Sequence, residues 1–119
     1  MEKTDELEPA IDAERVIRIA EHYCHARRKH PHFADELFLD GHSKKNADIT
    51  LADIRDVIEM EKHIHRVLAH ALLECEICEA RCAFASGDKA HAVEECYDAI
   101  AVLLRMIDVL EGRQKLGKA

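Results

Sequence analysis

Two short acidic motifs stand on either side of a glycine turn. Glu76-Ile77-Cys78-Glu79 is an E-x-x-E, Glu95-Cys96-Tyr97-Asp98 is an E-x-x-D, and Ser86-Gly87-Asp88 lies between them. A spacing of three puts both acids of each motif on one face of a helix. Glu79 and Glu95 are each 8 residues from Gly87, and Glu76 and Asp98 are each 11 away. Helices joined by so short a turn pack antiparallel. Glu79 is therefore expected to face Glu95 about 12 Å above the turn, with Glu76 facing Asp98 about one rung higher, at 1.5 Å rise per residue.

Clustered, half-buried carboxylates repel one another and resist desolvation, so protons or a cation must relieve them. Four oxygen donors with no His or Cys among them suit a hard divalent ion, Mg²⁺ or Mn²⁺, rather than Zn²⁺. Mg²⁺ usually keeps positions open for water and substrate phosphates, which points to phosphate chemistry. Either motif alone would be ordinary decoration of a solvated helix. Their register across one turn, beside apolar stripes, is what sets the pair apart. Glu74 and Glu94 project elsewhere and read as surface charge.

The positioning elements follow from periodicity. Residues 1–11 form a charged tail containing Pro9, and 12–119 read as one helical domain. A first helix is expected from Asp12, its N-cap, to Lys29, ending before Pro31. Residues 30–50 read as a connector, with one or two helical turns over Ala34–Leu39 and a polar mobile loop at 41–48. A second long helix is expected from Thr50, as N-cap, without a break to Ala85. Its seam is Val57, Ile64, Leu68, Ala71, Cys75, Cys78, Cys82 and Ala85, interrupted by Glu61. After the Gly87 turn, capped by Asp88 or Ser86, a last helix runs from Lys89 to Glu111 and closes at Gly112. That helix is apolar on more than one side, which implies burial against a second subunit.

Composition agrees with an all-α domain, an antiparallel bundle that is oligomeric. The chain has 119 residues, 4 Gly, 2 Pro and five aromatic residues (2 Tyr, 3 Phe), too few turn formers for a many-stranded β fold. A net charge of -7 argues against a nucleic-acid polymer or a membrane surface as partner. It leaves room for a nucleotide held through a bridging cation. No apolar h-region is visible at the N-terminus, and the uncharged run Ala99–Leu104 stops at Arg105, too short to span a bilayer. Five Cys, three of them within one helical pattern, read as reduced thiols of a cytoplasmic protein.

The segments LLECEICEA and EECYDAIAVLLRMIDVLEG, covering about residues 66–112 with their spacer, resemble the MazG-type all-α nucleotide pyrophosphohydrolases. In that family an E-x-x-E helix and an E-x-x-D helix together bind Mg²⁺. The resemblance assigns Glu76 and Glu79 to the first pair and Glu95 and Asp98 to the second. It implies hydrolysis of a nucleoside triphosphate to monophosphate and pyrophosphate, with Glu79 as the candidate catalytic base and a homodimer or homotetramer as the assembly. The chain departs from the family at Cys75, where many members carry another acid. Upstream, RRKHPHFADELF resembles segments of phage-associated relatives instead of the usual aromatic and Lys-bearing segment.

Other residues compete for attention. Lys62 and Arg66 are candidate phosphate contacts, as are His30 and His32, with Phe33 placed to stack on a base. The bland alternative for the last three is a tight turn with surface imidazoles. Arg27, Arg28 and Lys29 suit a helix C-terminus. His63 and His70, seven apart, could share a face. Arg105 could neighbour the carboxylates or pair across a subunit boundary. Cys75, Cys78 and Cys82 replace Leu or Ala in a seam and read as small buried residues. A Cys/His metal-binding regulator and a non-catalytic helical interaction protein are the rival readings.

Overall fold

The computed structural model describes residues 11–39 and 43–113, and every regular element among them is an α-helix. The helices are α1 (Ala13–Lys29), α2 (Lys44–His63), α3 (Ala69–Ala85) and α4 (Lys89–Leu110). The chain divides into two units, one ending at Leu37 and the other beginning at Phe38. The tail expected at the N-terminus lies outside the described residues except for Ile11, as do the first two residues of the loop expected at 41–48.

The first unit carries α1. Asp12 caps it as expected, accepting the Arg15 N–H at 2.9 Å. The last turn holds Arg27, Arg28 and Lys29, where cations meet the negative end of the helix dipole. Arg27 also stacks over the Tyr23 ring at 5.7 Å. Beyond His30, the cap residue, the chain is irregular through Leu39. The helical turns expected over Ala34–Leu39 are therefore absent.

The second unit is a run of three helices. α2 packs on α3, and α3 packs on α4. α2 begins at Lys44 with Ser43 at the cap position, seven residues before the cap expected at Thr50. Thr50 is thus inside the helix, where its hydroxyl donates to the Asn46 carbonyl at 2.9 Å, the back-bond that lets Thr sit mid-helix. The polar stretch joins the helix because Ala47 begins a buried stripe continued by Leu51 and Ile58. An i, i+4 ion pair from Lys44 to Asp48 at 2.7 Å adds local support.

The long helix expected from 50 to 85 breaks in two. His65 adopts φ 57°, its N–H donates to the Lys62 carbonyl at 3.1 Å, and the Arg66 N–H donates to the Glu61 carbonyl at 2.8 Å. That is a Schellman closure with His in the place where Gly is usual. The Glu61 carboxylate then accepts the Leu68 N–H at 3.2 Å, tying the start of α3 to the end of α2. Glu61, which interrupts the apolar seam, is thus a residue of the corner. The same closure recurs at Gly87 (φ 82°) and Gly112 (φ 77°), both anticipated as helix stops. Asp88 caps α4 by accepting the His91 N–H at 3.0 Å.

The buried apolar residues are mostly small: Ala47, Ala71, Ala80, Ala83 and Ala99, joined by Leu51 and Ile58. Alanine at these contacts lets the helices approach closely. The Phe38 and Phe84 rings meet at 5.7 Å. Buried Arg81 crosses to α2 and donates to Thr50 Oγ1 at 3.0 Å. Large aliphatics stay open, α4 contributing many of them. No helix among the described residues is long and apolar enough to cross a membrane.

Candidate metal centre

The α3–α4 hairpin brings Glu76, Glu79 and Glu95 together. One carboxylate oxygen from each lies within 4.8 Å of the other two, and all three side chains are half-buried. Glu79 hydrogen-bonds both Glu76 and Glu95, so the two acids nearest the Gly87 turn meet across the helices. Asp98 is exposed but adjacent: it hydrogen-bonds Glu95, and its charge is felt at Glu76.

Electrostatics divides the four acids into unequal roles. Burial, a hydrogen bond to Glu79 and the charges of Glu79, Asp98 and Glu95 push Glu76 up to about 7. Burial, a hydrogen bond to Asp98 and the Glu79 charge push Glu95 up to about 7 as well. Burial works the same way on Glu79, but hydrogen bonds donated by Glu76, Arg55 and Glu95 outweigh it and hold this carboxyl below its usual range. Glu79 is the ionised centre, and its two glutamate neighbours, while protonated, donate hydrogen bonds to it. The cluster thus relieves its repulsion with shared protons and one arginine.

That arginine is the residue sequence reasoning missed. Arg55 Nη2 donates to Glu79 Oε2 at 2.9 Å. Had α2 and α3 been one helix, 24 intervening steps would have separated the two by about 36 Å at 1.5 Å per residue. The His65 corner folds α2 back and closes that gap. Arg55 also contacts Cys75, so a thiol occupies the place beside the cluster where the family resemblance leads one to expect an acid. His91 is the other addition, with Nε2 at 3.8 Å from Glu95 Oε2. Its i, i+4 spacing to Glu95 was a legible signal.

The other expected contacts fall elsewhere. Lys62 lies in the last turn of α2, exposed and paired with Glu59 at 3.3 Å. Arg66 is exposed in the link between α2 and α3. His30, His32 and Phe33 belong to the first unit and are exposed. His63 and His70 lie on different helices, because the corner separates them. Cys75, Cys78 and Cys82 are half-buried on α3, each thiol raised first of all by burial. Raised thiols are poor ligands and poor nucleophiles. Among the described residues, the three-residue cluster with ligand spacing is the glutamate set. An apolar cleft of about 450 Å³ between α2 and α3, lined by Ile54, Val57, Leu73 and Ile77 among others, includes none of its carboxylates.

The donor chemistry fits a hard divalent ion. Three carboxylate oxygens lie within 4.8 Å of one another, and oxygen donors are the class that a hard divalent ion takes. Glu76 and Glu95 would exchange their protons for that ion. Comparison of the chain with family models, with curated proteins and with solved structures gives no match.

Proposed function

We propose that the protein is a Mg²⁺-dependent nucleoside triphosphate pyrophosphohydrolase, releasing nucleoside monophosphate and pyrophosphate. The observation that carries this reading is the convergence of Glu76, Glu79 and Glu95 from two helices onto one point. The E-x-x-E and E-x-x-D motifs that supply them, with Asp98 at the rim, are those of the MazG-type resemblance. In this reading the domain is an antiparallel bundle of that type.

Glu76, Glu79, Glu95 and Asp98 would hold the ion; when bound, it neutralises phosphate charge and acidifies a water. The chain's own groups supply the rest. Glu79 stays ionised at the centre of the cluster and in this reading would be the group that accepts a proton from water. Arg55 is a cation within reach of the same carboxylate and of an incoming phosphate. A general base need only lie within hydrogen-bond reach of the proton that it takes, directly or through one water.

The test is a panel of ribo- and deoxyribonucleoside triphosphates with pyrophosphate detection. Mg²⁺-dependent release, lost in Glu79→Gln, supports the enzyme. No turnover on any nucleotide, with no Mg²⁺ or Mn²⁺ binding, refutes it. The uncovered apolar side of α4 would then favour a non-catalytic helical interaction protein.

A further inference from the structure

We infer, resting on the metal-dependent reading just proposed, that Arg55 limits the glutamate cluster to a single divalent ion. It does so by taking the side of Glu79 that a second ion would use.

A centre for two ions needs a carboxylate shared between them, since the pair sits about 3.5–4 Å apart. Glu79 is the carboxylate placed for that role, because it hydrogen-bonds both Glu76 and Glu95. One of its oxygens is already engaged. Arg55 Nη2 donates to Glu79 Oε2 at 2.9 Å, and a guanidinium keeps its charge at any working pH. An ion approaching that oxygen meets a fixed cation instead of a further ligand. The arginine side chain is more than half exposed, but the carboxylate that it caps is half-buried, where repulsion between cations is less screened.

The neighbours of Arg55 offer no alternative donor. Cys75 precedes Glu76 and contacts Arg55. Its sulfur is a soft donor, whereas Mg²⁺ and Mn²⁺ take oxygen. Asp98 meets Glu95 on α4, while Arg55 arrives from α2. Among the described residues one group of three has ligand spacing, Glu76, Glu79 and Glu95. Three oxygens anchor one ion, with water and phosphate completing its shell.

Charge balance points the same way. Fully ionised, Glu76, Glu79, Glu95 and Asp98 carry four negative charges. One divalent ion beside Arg55 leaves the site with a single negative charge, and two would leave it positive. Without Arg55, two divalent ions balance the four carboxylates.

The test counts ions on the full chain at pH 8, without nucleotide. Equilibrium dialysis against Mn²⁺ with elemental analysis should return one ion per wild-type chain at saturation. Arg55→Met should take up two, and electron paramagnetic resonance should then show the spin coupling of a close Mn²⁺ pair, absent from the wild type. Arg55→Lys, which keeps the charge, should return to one. Circular dichroism checks the fold of each variant. If Arg55→Met does not fold, Arg55→Gln carries the same expectation. Two ions on the wild-type chain, or one ion on the folded neutral variants, overturn the inference and leave the metal-dependent reading standing. No Mn²⁺ on the wild-type chain overturns both.

Discussion

Replacing Glu95 by Gln should stabilise the cation-free protein at alkaline pH, although it deletes a site residue. Glu95 can donate its single carboxyl proton to Asp98 or Glu79 only while it holds one, and its carboxyl is raised from 4.5 to about 7. Below the ordinary value both folded and unfolded chains are protonated, and the group has no effect on stability. Between 4.5 and about 7 the folded chain keeps a proton that the unfolded chain releases, so stability falls as pH rises. Above about 7 the full penalty is present. At 1.36 kcal/mol per pH unit the ceiling is roughly 3 kcal/mol. Contact with water and the exposed Asp98 partner reduce this to about 1–2 kcal/mol. A Gln amide reproduces the donor of the protonated acid at every pH. The Tm gain at pH 8 should therefore be about 4–10 °C, shrinking to nothing near pH 4.5. The assay is thermal unfolding followed by circular dichroism, in EDTA, at pH 4.5, 6 and 8. A pH-independent difference, or a variant less stable at pH 8, would refute the account of the cluster.

The remaining predictions concern the same site and the corner that builds it. Divalent cation should stabilise the wild-type chain more at pH 8 than at pH 5, because Glu76 and Glu95 must release their protons to bind it; equal Tm shifts at both pH values contradict this. Calorimetric titration with Mn²⁺ in buffers of different ionisation enthalpy should show proton release near pH 6, greatly reduced in the Glu76→Gln/Glu95→Gln double variant. Arg55→Met should cost no more than about 1 kcal/mol, since its ion pair with Glu79 is more than half exposed on the arginine side; a larger loss in urea unfolding would give the pair a structural weight not argued for it. His65→Gly should be stabilising by about 0.5–1 kcal/mol and His65→Val destabilising, because φ 57° is strained for a β-branched residue. Equal stabilities for the two variants would count against the His65 corner.

Residues 69–112 were legible in the sequence because every signal there is local. Gly87 and Gly112 mark helix stops through the left-handed backbone they permit, Asp88 caps, and equal spacing from Gly87 brings the acids of α3 and α4 together. An all-α chain followed from the same helical periodicity and from the scarcity of turn formers. The rest depended on tertiary contacts. His65 occupies a position where Gly is the usual residue, so nothing in the stripe from Val57 to Ala85 announces a corner. The mostly polar stretch 44–48 becomes helix because Ala47, Leu51 and Ile58 form a buried stripe on α2, which packs on α3. Arg55 meets Glu79 only after α2 folds back, and no spacing rule connects residues 24 apart across an unseen turn. The sequence by itself put Glu79 opposite Glu95, since i, i+3 spacing and a short hairpin leave them little freedom; it also set Glu76 opposite Asp98, whereas the structure joins Glu76 to Glu79 and Glu95. Tertiary structure alone decided what balances them, because a counter-charge arriving from another helix is a matter of packing.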